Sequence, residues 1–170
     1  PIHSSAASDV YKRQVFSFFK DDDQWVDISS LRNSSLEKDS FFGHSMDISA
    51  NFAAIGSRDG NVVTEYIFDS KNNNWNQFNT IYPNKIQKKG HFGFSVAYND
   101  EELIIGYPGF DNIGNIQIFS LSNGKREHYK TINSSNTSKG DFFGSSIDVA
   151  NDQLAVGSFN GEVVSLYEFN

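Results

Sequence analysis

Four histidines, at positions 3, 44, 91 and 128, are the side chains of this 170-residue sequence best suited to proton transfer or metal ligation. Their spacing makes neither the i, i+4 pair of a zinc-binding helix nor any other short ligand set. His44 follows a Phe-Gly pair and His91 precedes one, so the two share no offset and read as ordinary partly buried residues. The sequence holds no Gly-x-Ser-x-Gly elbow, no phosphate-binding glycine loop and no dinucleotide glycine pattern. Asp21-Asp22-Asp23 falls where a solvated turn is expected. Without cysteine there can be neither thiolate metal sites nor disulfides, which leaves the redox compartment open. The net charge of -7 repels phosphate backbones, and no basic run exceeds two residues, so nucleic acid is not an expected partner. The longest apolar run, Phe52 to Ile55, is far short of the roughly 20 residues of a membrane-spanning helix. No residue is assigned a catalytic role, and the chain is not expected to be an enzyme in its own right.

Any site must therefore be built by the elements, and these recur. FFGHSMDISANFAAIGSRDGNVVTEYIF begins at Phe41, HFGFSVAYNDEELIIGYPGFDNIGNIQIFSL at His91, and FFGSSIDVANDQLAVGSFNGEVVSLYEF at Phe142. Gly43, Gly93 and Gly144 share their spacing with Gly56, Gly106 and Gly157, and a common period in two glycine series marks a structural repeat. Gly60, Gly114 and Gly161 drift from that period, which places an insertion just before Gly114. Within each unit, short alternating apolar stretches are bounded by Gly, Asn and Asp, the pattern of half-buried strands. In the first full unit the strands are expected at Gly43 to Ile48, Phe52 to Gly56, Asn61 to Phe68 and Trp75 to Ile81. Ala50-Asn51, Asp59-Gly60, Asn99-Asp100 and Asn123-Gly124 suit the tight reversals between strands.

A twisted four-stranded sheet that is apolar on both faces must stack on copies of itself, and radial stacking gives a β-propeller. The expected fold is all-β, a partial propeller of about three four-stranded antiparallel blades. Residues 15–32 supply the last two strands of one blade, 33–82 and 83–133 two full blades, and 134–170 an incomplete one. Phe42, Phe92 and Phe143 are expected between blades, each contributing roughly 1.5–3 kcal/mol of burial. Asp47 and Asp148 stand at equivalent positions with Ala97 between them, which points to a structural role. Residues 1–14, PIHSSAASDVYKRQ, carry no initiator Met and resemble a translated sequencing adapter, so they are expected to be foreign to the fold and the chain is read as a fragment.

Phe-Gly-x-Ser at the start of each unit, Ala-Ile-Gly, Ile-Ile-Gly-Tyr-Pro or Ala-Val-Gly-Ser at the second strand, and Gly-x-Val-x-x-Tyr/Phe at the third resemble FG-GAP repeats. Such repeats build the seven-bladed head of integrin α subunits. The family's calcium-binding blades carry alternating Asp and Asn between first and second strands, because Ca²⁺ takes six to eight oxygens. Here those connections are short and poor in carboxylates, so no calcium or other cofactor is expected. Asp111-Asn112 in the inserted loop reads as a turn with polar tips.

The resemblance implies a non-enzymatic recognition or adhesion module outside the cell or at its surface, binding a protein or glycan through loops on one face. The distinctive loop is the insertion, which either presents Tyr107, Phe110, Asp111 and Asn112 as contact residues or folds back on its own blade; Arg58 and Asp59, and Phe159 and Asn160, match it in the flanking units. Sequons at Asn33, Asn133 and Asn136 accord with secretion. The alternative is an accessory propeller of a larger secreted enzyme, a hydrolase or lyase whose catalytic residues lie outside this chain. An intracellular scaffold of the WD or kelch sort lacks its Gly-His and Trp-Asp signatures here.

Overall fold

The structure, a computed structural model, describes residues 14–37, 39–100 and 102–169. The expected foreign tail lies outside them except for Gln14. Strands β1 (Val15–Asp21) and β2 (Gln24–Leu31) form a two-stranded sheet. β3 (Phe42–Ser49), β4 (Phe52–Ser57), β5 (Val62–Asp69) and β6 (Asn74–Ile81) form a four-stranded meander. β7 (Val96–Asn99), β8 (Glu102–Tyr107), β9 (Asn115–Ser122) and β10 (Lys125–Ile132) form a second. β11 (Phe143–Ala150), β12 (Gln153–Ser158) and β13 (Val163–Glu168) form a three-stranded sheet. Every pairing in these four sheets is antiparallel, and the fold is an all-β partial propeller. Neighbouring blades meet through their first strands, β3 beside β7 and β7 beside β11.

The Phe-Gly pair that opens a blade is a bulge. Register slips between Phe42 and Ser45 and again between Phe143 and Ser146, where Gly43 and Gly144 adopt φ of +86° and +89°. A left-handed glycine there turns its carbonyl toward the preceding blade. Ser45 Oγ donates to Gly93 O at 2.9 Å, and Ser95 Oγ donates to Gly144 O at 2.8 Å. The second glycine series is the other half of this joint, since a Cβ on Gly56 or Gly106 would stand 2.1 Å from the same carbonyl oxygens. Gly106→Ala should therefore cost about 1–3 kcal/mol of overpacking. At Gly157 a Cβ meets only Ser146, and the one close atom, Oγ at 2.2 Å, is a hydroxyl free to rotate, so Gly157→Ala should leave the denaturation midpoint nearly unchanged. Equal losses for the two variants in urea unfolding would refute this account of the joint.

Two apolar layers fill the spaces between blades. Phe92, Leu103, Ile105, Tyr107 and Phe119 pack against Ala54 and Val63, and Ile104, Ile116 and Ile118 pack against Phe143, Leu154 and Val156. The first interface also holds an ion pair. Glu65, on β5, is fully buried and takes Arg126 of β10 through both oxygens, at 3.0 and 3.2 Å from Nε and 2.6 Å from Nη2. Tyr98 OH donates to Glu65 Oε1 at 2.8 Å and Asn79 Nδ2 to Oε2 at 3.1 Å, so the carboxylate is saturated. Burial, with the Glu65 charge beside it, pushes the Tyr98 hydroxyl well above the usual phenol range.

The inserted loop is a brace. After Tyr107 it makes one 3-10 turn, Phe110–Asn112, and then a parallel bridge from Gly114 to Phe143 of the next blade. Phe143 N donates to Ile113 O at 2.8 Å. The two blades are thus tied by backbone as well as side chains.

Candidate functional site

Three strand ends converge beside the start of the innermost strands: the residues after β4, β8 and β12, and those flanking the Phe-Gly bulges. Between them lies a cavity of about 340 Å³ lined by Arg58, His91, Phe94, Pro108, Phe142, Ser145 and Phe159. Residues 41, 91 and 142 all hold positive φ, at 55°, 59° and 58°, so the chain folds sharply into each blade and lifts their side chains to this rim.

Arg58 is the charged centre of the wall. Its guanidinium lies 4.6 Å from the Phe41 ring centroid and 5.8 Å from that of Phe94, a cation-π arrangement that fixes the planar group. Asp59 Oδ1 lies 3.5 Å from Arg58 Nε and 3.0 Å from His91 Nδ1. Arg58 Nε is nonetheless buried and has no hydrogen-bond acceptor among the described residues. Donation from His91 Nδ1 to Asp59 leaves the imidazole lone pair on Nε2, the tautomer a general base needs.

His44 packs edge-on against Phe94 at 4.6 Å. Partial burial, then the Arg58 charge, hold its pKa below the ordinary histidine value, with Asp59 opposing them. A depressed pKa means the unfolded chain binds more protons just below about pH 6.5, so stability present at neutral pH is lost as pH falls through that window. Tm measured from pH 7.5 to 5 should fall less steeply in His44→Asn than in the wild type. Parallel profiles would rule the effect out.

The site residues expected from sequence divide between two places. Arg58, Asp59 and Phe159 meet at this rim, with Phe159 78% exposed. Asn160 follows it in the same turn, its N–H donating to Asp141 O. Tyr107 instead is fully buried, its ring 5.4 Å from Phe92 and its hydroxyl accepting from Gln87 N, so it is a core residue and not an exposed contact. Phe110 is half-buried against Tyr107, while Asp111 and Asn112 form a positive-φ turn at the surface. His91 stands isolated in the sequence, where it has the look of an ordinary residue; its pairing with Asp59 across 32 residues is visible only in three dimensions. Asn33, the first sequon, is buried with its amide on Thr64 Oγ1 at 2.8 Å, whereas Asn133 and Asn136 are exposed. Among the described residues no helix is long and apolar enough to cross a membrane.

No family model matches the chain, and no curated protein matches it. Solved structures do. A protein from Bacteroides uniformis, provisionally described as a 6-phosphogluconolactonase, superimposes with a TM-score of 0.70 at 14% identity over 92% of this chain and 44% of its own. A protein from Lactobacillus plantarum gives 0.65 at 15% identity, over 92% and 45%. A second provisional 6-phosphogluconolactonase, from Bacteroides fragilis, gives 0.63 at 12%, over 92% and 44%. The chain therefore spans less than half the length of these structures, and at such identities the likeness establishes the fold. It also corrects the family expected from sequence. Phe-Gly and second-strand glycines meet a packing demand of stacked blades, so they do not single out the FG-GAP, integrin-like group. The adhesion and non-enzymatic readings drawn from that resemblance fall with it, because two of these three propellers are described as lactonases.

Proposed function

We propose that the chain is an arc of a propeller hydrolase that opens small cyclic esters of anionic sugars, and that it contributes the cavity at Arg58, His91 and Phe94. The observation that carries this reading is the Arg58 guanidinium on the cavity wall, its side chain 30% exposed and fixed between two rings. A phosphate or carboxylate oxygen entering the cavity would accept from its outer N–H groups. His91, steadied by Asp59, is suited to take the proton of a water attacking the ester carbonyl, while Phe94, Phe142 and Phe159 offer apolar surface to the sugar ring.

Titration calorimetry with 6-phosphogluconate, the stable ring-opened product, tests the reading. The wild-type protein should bind it, and Arg58→Ala should weaken binding about 10–100-fold, the value of a charged hydrogen bond of roughly 1.5–3 kcal/mol. Absence of binding by the wild type, or an unaffected Arg58→Ala, would discard it.

Placement outside the cell belongs to the same proposal and rests on the exposed sequons. Secreted from a eukaryotic host, the protein should lose mass on deglycosylation through Asn133 or Asn136 and not through buried Asn33. A glycan confined to Asn33, or none, would argue against it.

A further inference from the structure

Of the connections that lead into the blades, only the one between β6 and β7 is uniformly basic. Before β3, Arg32 and Lys38 are offset by Glu37 and Asp39, and before β11, Lys139 is offset by Asp141. Between β6 and β7 stand Lys85, Lys88 and Lys89 with no carboxylate. All three lysines are exposed, and none of them forms an ion pair among the described residues.

The same connection borders the cavity and is the one that the inserted loop braces. Gly90 is buried between Lys89 and the cavity residue His91, and its carbonyl accepts from Gly109 N at 2.8 Å. Tyr107 OH accepts from Gln87 N at 2.7 Å, and Gln87 Oε1 accepts from Asp111 N at 2.8 Å. Lys85 Nζ lies 5.7 Å from the Phe110 ring centroid, a cation-π contact with the brace. The lysines are thus mobile side chains on backbone that is pinned at the cavity mouth. Of the carboxylates beside them, Asp59 is engaged by Arg58 and His91, which leaves Asp111 in the brace itself.

The other end of the blades has the opposite sign. In the hairpin turns gathered there, Asp69, Asp100, Glu102 and Asp152 outnumber Lys71 and Lys125. A strand such as β4, of 6 residues, spans about 20 Å, more than two Debye lengths at about 0.15 M salt, so those charges do not cancel the field at the rim.

We propose that Lys85, Lys88 and Lys89 form an anion-collecting surface at the mouth of the Arg58 cavity, drawing phosphorylated or carboxylated ligands toward it without touching them once bound. This rests on the reading of the cavity as an anion site and adds how its ligand arrives. A field of this kind speeds association and fades with salt, whereas a hydrogen-bonded contact in the bound state persists to higher ionic strength.

Two measurements at about pH 8, where histidine is neutral, compare the wild type with the triple variant Lys85→Gln, Lys88→Gln, Lys89→Gln. In calorimetry with 6-phosphogluconate, the triple variant should bind about 10-fold more weakly at low salt, the lower end of what steering supplies, and as well as wild type at high salt. Arg58→Ala should be weakened at both. Equal affinities of wild type and triple variant at low salt would overturn the collecting surface and leave the cavity reading intact. A loss that persists at high salt would also overturn it, by making the lysines direct contacts. In NMR, an anionic nitroxide co-solute should relax the amide protons of Gly90 and His91 more than a cationic one does, and this preference should vanish in the triple variant. No preference in the wild type overturns the proposal whatever the cavity binds. A wild type that shows the preference yet binds no 6-phosphogluconate overturns the cavity reading alone, and the collecting surface stands.

Discussion

Arg126→Met will lower the unfolding free energy by about 3–5 kcal/mol, the penalty for leaving a buried charge without its partner. Glu65 is fully buried, and its oxygens lie among Arg126, Tyr98 and Asn79 with no route to water. Removing the guanidinium leaves a carboxylate that must either stay charged in the interior or take up a proton. Tyr98 and Asn79 can stabilise the anion only in part, as neutral donors. The repeat itself supplies the control. Positions equivalent to Glu65 hold Ile118, buried in an apolar interface, and Leu166. A hydrophobic joint is therefore compatible with the same backbone, and Glu65→Ile with Arg126→Met should recover most of the stability that the single variant loses. Chemical denaturation of the three proteins decides the matter. If the double variant is no better than Arg126→Met, the pair does more than neutralise itself.

Much of this architecture was legible because the same physical demand is written three times. Strands expected at Phe52 to Gly56 and Trp75 to Ile81 appear as Phe52–Ser57 and Asn74–Ile81, since alternation and turn residues bound them closely. The turn residues also behave as their types imply: Asp100, Asn123 and Gly124 take φ of 50°, 50° and 75°. What the repeat could not show is why its glycines recur. A period alone does not distinguish a family signature from a steric requirement, and the next blade's carbonyl, which would stand 2.1 Å from a Cβ added at Gly56 or Gly106, identifies it as the second. That is why a motif-based family assignment failed while the fold assignment held.

The rim was only half legible. Arg58, Asp59 and Phe159 follow their second strands at fixed offsets, so register placed them together. His91 and Phe94 come from the start of a different blade, and nothing local in the sequence pairs His91 with a carboxylate 32 residues earlier. Tyr107 misled for a converse reason. A Tyr-Pro-Gly-Phe stretch in an insertion resembles an exposed tip, but the extra residues form a turn whose backbone reaches the next blade, which pulls the ring inward. Tyr107 OH then accepts from Gln87 N at 2.7 Å, a buried polar group with its hydrogen bond made.

The second large effect should come from Phe92→Ala, at about 3–5 kcal/mol. Phe92 is fully buried and meets Tyr107 and Phe119 edge to face, at 5.4 and 6.0 Å between centroids, a geometry favourable beyond area alone. Its own N–H donates to Asn61 Oδ1 at 3.0 Å across the blade boundary. The ring thus closes the space between two blades while the backbone beside it fastens them. Truncation leaves a cavity that neither blade can collapse into, since the Gly93 bulge and the Ser45 hydrogen bond hold their spacing. Phe159→Ala, at the exposed rim, should leave stability within about 0.5 kcal/mol and so serves as the matched comparison. Phe42 lies between the two: it is buried at 7% exposure but packs beside the two-stranded β1–β2 sheet, and its truncation should cost less than that of Phe92. An order in which Phe42→Ala exceeds Phe92→Ala would mean that the joint with β1–β2 is the stronger one. That result would contradict the buried-interface account of how the arc is held together.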